Sequence, residues 1–282
     1  MLTPLPDIML EPVVRATLLE DLGRAGDITT DAVVPPDHRS RLALGARQDG
    51  VVAGLDLARI AFRLMDPEIE MTVHRPDGAR VRAGEAIATL HGPTRGLLTA
   101  ERTALNLLCR LSGIATATAG LVEAVRGHRA SIVCTRKTTP GLRALEKYAV
   151  RAGGGGNHRF GLDDAILIKD NHVAIAGGIR PALQRAHDHA GHMVKIELEV
   201  DSLDQLREAM EIGVDAVLLD NMGPEMLAEG VEIIAGRAIS EASGRITPQT
   251  APAIAASGVD LISCGWITHS AAILDIGFDH LD

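Results

Sequence analysis

Residues 194–221, VKIELEVDSLDQLREAMEIGVDAVLLDN, decide the architecture of this chain. VKIELEV has a two-residue period, which puts Lys195, Glu197 and Glu199 on one face and Ile196, Leu198 and Val200 on the other, as a strand does. Ser202 and Gln205 form a capping box before LREAMEIG, so a helix follows. AVLLD then reads as a second, nearly continuous apolar strand. A strand, a helix and another strand in succession predict a parallel pair joined by a crossover.

Outward from that unit the pattern repeats. SIVCT at 131–135, AILIK at 165–169, AIS at 238–240 and LISCG at 261–265 are further strand-like segments. They recur roughly every 20 to 35 residues, the length of a strand, a crossover helix and its loops. Thr247-Pro248 is expected to cap a helix before APAIAASG. Six units are legible, short of the eight of a regular β/α barrel. The strands end in polar groups: Thr135-Arg136-Lys137, Lys169-Asp170-Asn171, Glu199, Asp220-Asn221, Ser243-Gly244 and Gly265. A barrel gathers such ends at one mouth, whereas an open doubly wound sheet spreads them along an edge, so the expected class is α/β with an incomplete barrel.

The first hundred residues read differently. RLALGARQDGVVAG (41–54) and MTVHRPDGARVRAGEAIATLHG (71–92) are short strand-like runs punctuated by glycine and by the turn Pro76-Asp77-Gly78, which indicates a small domain of mixed structure. From about Thr99 the spacing of Leu97, Ala104, Leu105, Leu108 and Leu111 predicts a helix that Ser112-Gly113 stops, marking a domain junction.

Composition narrows the function. The 282 residues carry 28 Lys and Arg against 37 Asp and Glu, a net charge of −9. That leaves no global basic field for a nucleic acid. Five aromatic residues are too few for a base-stacking platform. The three cysteines are far apart, with no disulfide framework or zinc spacing, which predicts a reducing, cytoplasmic setting. No basic leader opens the sequence and no uncharged apolar run approaches the ~18 residues of a spanning segment, so no membrane role is expected.

The densest chemistry lies in 135–172, TRKTTPGLRALEKYAVRAGGGGNHRFGLDDAILIKDNH. Arg136, Lys137, His158, Arg159 and Lys169 cluster at strand ends. Cations packed this closely repel one another unless an anion compensates them, so a ligand with several negative charges is expected. Glu199 and Asp220, at the ends of adjacent strands, suit Mg²⁺ and ribose hydroxyls. Glu197 and Lys195 are expected to pair internally. Gly244 and Gly265 lie between strands and helices, where backbone N–H groups hold phosphate. Gly153 to Gly156 reads as a loop that closes over ligand. Glu101 and Arg102 either brace the domain junction or reach a site across an interface. His187, His189 and His192 lack metal-ligand spacing and are set aside. The main rival from another class is a non-catalytic or repurposed protein, and a second is a Schiff-base barrel enzyme using Lys137 or Lys169.

EDLGRAGDITT (20–30), ERTALNLLCRLSGIAT (101–116), TRKTTPGLRALEKYAV (135–150), GGGGNHR (153–159), LIKDNH (167–172), IELEV, LLDNM, EASG and THSA together resemble the quinolinate phosphoribosyltransferases, also called nicotinate-nucleotide pyrophosphorylases (carboxylating). The resemblance implies an N-terminal α/β sandwich over 1–112, joined by 269–282, and an incomplete β/α barrel over 113–268. It implies Arg102, Arg136, His158, Arg159 and Lys169 on the two quinolinate carboxylates, with Arg102 acting from a second subunit of a homodimer or higher oligomer. Lys137, Glu199 and Asp220 would face phosphoribosyl pyrophosphate and its Mg²⁺, the acids directly or through water, and Ser243, Gly244 and Gly265 the 5-phosphate. Lys169 or a water would supply the proton after decarboxylation. Arg245 and Trp266 stand where the family commonly carries glycine or a small residue, and Cys134 where aspartate is frequent.

Overall fold

The structure, a computed structural model, describes residues 2–281. By contacts it divides into two units, Met1–Ala119 with Leu145–Gly154 and Ser270–Asp282, and Gly120–Ala144 with Gly155–His269. The elements in chain order are α1 (Asp7–Leu22), α2 (Ile28–Val33), β1 (Arg39–Ala46), β2 (Gly50–Val51), α3 (Leu55–Met65), β3 (Glu70–Val73), β4 (Arg80–Val81), β5 (Ala86–Pro93), α4 (Thr94–Ala124), β6 (Ser131–Val133), α5 (Arg143–Ala152), β7 (Ile166–Ile168), α6 (Asp170–Ala176), α7 (Ile179–His189), β8 (Ile196–Val200), α8 (Leu203–Ile212), β9 (Ala216–Asp220), α9 (Pro224–Ile234), β10 (Ile239–Ser243), α10 (Ala251–Ala256), β11 (Leu261–Ser263), α11 (Trp266–His269) and β12 (Ile276–His280).

The first unit is built on an antiparallel sheet of order β12-β1-β5-β3. The C-terminal strand therefore pairs with the first. α3 buries Leu57, Ala58, Ile60, Ala61 and Phe62 along one broad stripe, and Phe62 meets Phe278 of β12 with ring centroids 5.5 Å apart. The turn Pro76-Asp77-Gly78 does more than reverse the chain. Asp77 accepts hydrogen bonds from the N–H groups of Gly54 (2.9 Å) and Leu55 (3.2 Å), capping α3 from a distance, and from the Tyr148 hydroxyl (2.7 Å). Burial raises the Asp77 pKa while these donors oppose the rise.

α4 corrects the expected stop at Ser112-Gly113, since it runs for 31 residues straight through them. Neither residue is free to break it. Ser112 Oγ accepts the Ala53 N–H (3.0 Å), and a Cβ on Gly113 would lie 2.0 Å from the Ala272 carbonyl oxygen. These residues mark close packing rather than a helix end. α4 is also long and apolar enough to cross a membrane by length and composition, and most of that stretch is buried within the protein.

The second unit is a six-stranded parallel sheet, β6-β11-β10-β9-β8-β7, wrapped as an incomplete barrel with helices between the strands. All six predicted strands are present. Each is apolar on the face beneath the helices, as Ile196, Leu198, Val200, Val217 and Leu219 show by being fully or almost fully buried. Ser202 caps α8 by accepting the Gln205 N–H (3.3 Å), with Gln205 Oε1 reaching back to the Asp201 N–H (2.7 Å). The expected cap at Thr247 is three residues early, since Thr250 stands at the N-cap. Residues 247–250 form a turn in which Thr247 and Thr250 satisfy each other, and α10 starts at Ala251 with Pro252 in its first turn.

Candidate active site

Register brings the polar strand ends into layers. Glu199, Leu218 and Glu241 lie at one level across β8, β9 and β10, and Asp220 and Ser243 lie one pleat nearer the C-terminal ends. Strands of a parallel pair put register partners on the same side, so all five face the barrel interior. The cavity there is about 390 Å³ and is lined by Thr135, Arg136, Lys137, His158, Arg159, Leu167, Lys169, Glu199, Leu218, Asp220, Glu241, Ser243 and Ser263. A second lobe of about 410 Å³ shares Thr135, Lys137, Asp220, Ser243 and Ser263, and adds Asn221, Gly244, Arg245, Gly265, Trp266 and His269 among others. Arg136, Lys137, His158, Arg159, Lys169, Glu199, Asp220, Ser243, Gly244 and Gly265 therefore meet in one place. Arg102 lies in the other unit, on α4, with an exposed side chain 3.8 Å from Glu101.

The cation wall is poised rather than satisfied. Arg159 Nη1 donates to the Ala165 carbonyl (3.0 Å), yet Nε of Arg159 and Nε of Arg136 are buried without a hydrogen-bond partner. A buried donor without an acceptor is costly, and a carboxylate is the group that relieves two of them at once. Burial and the Arg136 charge both push the Arg159 pKa down. Lys169 is paired with Glu199, so its charge is delivered to the cavity beside a carboxylate. His172 Nδ1 accepts the Lys169 backbone N–H (2.9 Å), which fixes the start of α6 under that side chain.

The floor is acidic. His158 Nε2 is 3.0 Å from Glu197 Oε2 and 3.7 Å from Glu241 Oε1. The Arg159 backbone N–H donates to His158 Nδ1 (2.7 Å), so Nδ1 is the unprotonated nitrogen and Nε2 carries the proton given to Glu197. Glu197 consequently pairs with His158, not with Lys195. Lys195, exposed at the opening of β8, pairs with Asp215 instead, which corrects the expected internal pair. Glu241 is almost wholly buried, and burial together with the Glu197 charge raises its pKa to about 7. Among the described residues, His158, Glu197 and Glu241 form the one group of three that could hold a metal ion, so His187, His189 and His192 do not.

The two glycines expected at a phosphate, Gly244 and Gly265, differ from each other in setting. Gly265 directly precedes α11, and a Cβ on it would press on Lys137 Cδ (2.9 Å) and Thr135 Oγ1 (3.3 Å). Gly244 is seven residues before α10, so no helix N-terminus stands behind it. Its φ of 110° and the 2.3 Å that a Cβ would leave to Asn221 Oδ1 make glycine obligatory there. Arg245 follows with φ 49°, left-handed and exposed at the rim, and Trp266 is tied by Nε1 to the Ile246 carbonyl (2.8 Å). Cys134, fully buried, donates from Sγ to Asn157 Oδ1 (3.3 Å), which holds the segment before His158.

Gly153 to Gly156 is not a lid. A Cβ on Gly153 would meet the Ala115 carbonyl at 2.3 Å, and Gly156 is bridged to Val133, with its N–H on the Ile132 carbonyl (2.8 Å). These glycines permit close approach of backbones. Sequence reasoning missed Glu241 and Ser263 as cavity residues. The period-two pattern of ISEAS, with Glu241 in phase with Ser243, is where the first could have been read.

The family profiles described as Quinolinate phosphoribosyl transferase, N-terminal domain and C-terminal domain, match residues 27–112 and 114–279. Over 274 residues the chain is 45% identical to a nicotinate-nucleotide pyrophosphorylase (carboxylating) of Mycobacterium leprae, covering 94% of this chain and 95% of the relative. It is 38% identical over 289 residues to a quinolinate phosphoribosyltransferase (decarboxylating) of Nicotiana glauca, covering 96% and 82%. The crystal structure of NadC from Streptococcus pyogenes superposes with a TM-score of 0.95 at 41% identity, over 99% of this chain and 100% of that one. A nicotinate-nucleotide pyrophosphorylase from Francisella tularensis gives 0.95 at 38% identity, over 100% and 99%.

Proposed function

The chain belongs to the quinolinate phosphoribosyltransferase family, and we propose that it transfers the phosphoribosyl group of phosphoribosyl pyrophosphate to quinolinate with loss of CO₂, giving nicotinate mononucleotide for NAD biosynthesis. The observation that carries this reading is the cation wall with two unpartnered buried guanidinium N–H groups beside a cavity floored by carboxylates. Quinolinate is a dianion and phosphoribosyl pyrophosphate carries several more charges, so fixed cations are needed to hold both against their repulsion.

Arg136, Arg159 and Lys169 hold the quinolinate carboxylates in the first lobe, and His158 belongs to the same side, where both its ring nitrogens already serve protein groups. Lys137, Asp220, Ser243, Gly244 and Gly265 hold the phosphoribosyl donor in the second lobe. The residues shared by the lobes bring the pyridine nitrogen against the anomeric carbon, which converts a bimolecular reaction into an oriented one. The new C–N bond forms as the bond to pyrophosphate breaks, with Lys137 on the departing oxygens and Glu199 and Asp220 easing the positive character of the anomeric carbon. The quaternary nitrogen then accepts the electron pair left when the C2 carboxylate departs as CO₂. Lys169 Nζ, paired with Glu199, or a water returns the proton to C2.

Glu199 and Asp220 are oxygen donors on one interior face, the set a hard divalent cation prefers. Since Lys169 already occupies Glu199 and Asn221 Nδ2 donates to Asp220 (2.6 Å), they fit Mg²⁺ held with the donor substrate through water. When bound, Mg²⁺ would neutralise the pyrophosphate leaving group. Three free, buried cysteines support a reducing, cytoplasmic setting.

Purified protein with Mg²⁺ is expected to convert quinolinate and phosphoribosyl pyrophosphate to nicotinate mononucleotide, pyrophosphate and one equivalent of CO₂, and to leave nicotinate unreacted. Turnover of nicotinate alone, or borohydride trapping of substrate on a lysine, would overturn the reading. The exposed side chain of Arg102 supports its action in a homodimer or higher oligomer with shared sites. Arg102→Ala and Lys137→Ala proteins, each inactive, are expected to recover up to about a quarter of wild-type activity when mixed and allowed to exchange subunits, because one site in a mixed dimer is intact. Mixtures that exchange subunits yet stay inactive would count against the shared site.

A further inference from the structure

Below the cation wall, three side chains from separate elements close on one another in the barrel interior. Glu197 comes from β8, Glu241 from β10, and His158 from the segment before β7. None of them is a surface group. A buried acid normally needs a cation, yet Arg136, Lys137, Arg159 and Lys169, which line the same cavity, are not among the groups that act on Glu241. What Glu241 faces instead is Glu197 on β8, the His158 ring, and Ser263 and Cys264 at the end of β11. Its Oε1 has no hydrogen-bond partner and lies 3.7 Å from His158 Nε2.

We propose that Glu241 is a positioning residue for quinolinate binding: it braces Glu197 against His158, and His158 in turn sets the Arg159 backbone from which the guanidinium reaches the acid substrate. Ligand atoms of Glu241, Glu197 and His158, one from each, lie within 4.8 Å of one another, and the links beyond them are contacts already described. Glu197 Oε2 takes the Nε2 proton (3.0 Å), the opposite ring nitrogen takes the Arg159 N–H (2.7 Å), and the Arg159 side chain is steadied by the Ala165 carbonyl (3.0 Å). Two ionised carboxylates sharing this space would repel each other and the incoming dianion, so the arrangement works with a proton on Glu241. Burial and the Glu197 charge favour that proton, and the His158 and Ser263 contacts oppose it without prevailing. With the proton present, the floor carries one negative charge rather than two.

The pH sign follows from a group whose pKa is raised in the folded protein. Below neutrality Glu241 keeps its proton and the brace is intact. As pH rises through neutrality the proton leaves, a second charge appears under the cation wall, and affinity for quinolinate falls.

The inference rests on the first lobe being the quinolinate site, and the test separates the two. Absence of any wild-type turnover would remove the functional reading itself, whereas the variants below bear on the brace alone. Glu241→Ala is expected to raise KM for quinolinate about 10-fold, through loss of the side chain packed beside Glu197 and His158, and to leave KM for phosphoribosyl pyrophosphate within about 2-fold. Glu241→Gln, isosteric with the protonated acid, is expected to rescue most of that loss and to flatten the rise in quinolinate KM that wild type shows above neutral pH. That flattened profile is read on a variant of unchanged volume, so it decides the matter even where the alanine protein folds poorly. Glu241→Gln as damaging as Glu241→Ala, or equal rises in both KM values, would overturn the proposal. So would a transition metal retained by EDTA-treated wild type and lost from Glu241→Gln, because the triad would then be a ligand set and not a brace.

Discussion

Arg159→Ala is expected to raise KM for quinolinate by about 10² to 10³-fold and to leave KM for phosphoribosyl pyrophosphate within about 3-fold, an effect on the order of 3–4 kcal/mol from a buried charge-assisted contact. The size follows from where the guanidinium stands. It is partly desolvated, one donor is fixed on Ala165, and its Nε is held without an acceptor until ligand arrives. A contact preorganised in this way loses little entropy on binding, so most of its gross energy appears as affinity. Arg159→Lys should recover little, because a point charge cannot match the planar pair of donors that a carboxylate accepts. Stability should move the other way. Burial and Arg136 already disfavour the charge on Arg159, so its removal relieves repulsion in the free enzyme, and Arg159→Ala should melt no lower than wild type. Steady-state kinetics in each substrate with a thermal melt of the free protein reads both halves. Unchanged quinolinate KM, or a matching loss in both substrates, would move the carboxylate site away from this wall.

Much of this wall was readable as sequence because barrel strands obey two rules together. Buried on the helix-facing side, they appear as apolar runs such as AVLL. Open at the C-terminal end, they finish in polar residues that line the cavity, such as Asp220 and Lys169. Partner choice was less legible. Lys195 and Glu197 share a strand face, yet Lys195 sits at the entry of β8 beside Asp215, and Glu197 lies deep enough to find His158. Strand period gives a face but not a depth. Glu241 was hidden for a related reason, since EASG was read for its serine and glycine, and nothing local says that its acid meets another acid two strands away. Glycine proved the most ambiguous letter. Gly244 is required by its dihedral angle, Gly265 by the side chains packed on it, and Gly153, Gly156 and Gly113 by backbones that approach them. One residue type serves all three needs, and a single sequence does not distinguish them.

Gly113 is the position where these needs oppose each other most clearly, and Gly113→Ala is expected to destabilise the protein by about 2 kcal/mol or more. Helix propensity alone predicts the reverse, since alanine in a helix interior is favoured over glycine by about 1 kcal/mol. The residue sits in the middle of α4, where that gain should be realised in full. Against it stands the 2.0 Å between the added Cβ and the Ala272 carbonyl oxygen, with Ile273 Cα at 2.8 Å. Both are backbone atoms, so no rotamer change relieves the overlap. The chain at 270–275 would have to move, and it is anchored on one side by the Leu274 N–H on the Cys109 carbonyl (3.0 Å) and on the other by β12 in its sheet. Overpacking of this kind costs roughly 1–3 kcal/mol and more where the neighbours are fixed, which exceeds the propensity gain. Chemical denaturation should show the lowered midpoint, with Gly120→Ala as the control. Gly120 lies in the same helix with nothing within 4 Å of its Cβ position, so that change should stabilise by a few tenths of a kcal/mol up to about 1. If both substitutions stabilise alike, the close approach at Ala272 is not what selects glycine at 113.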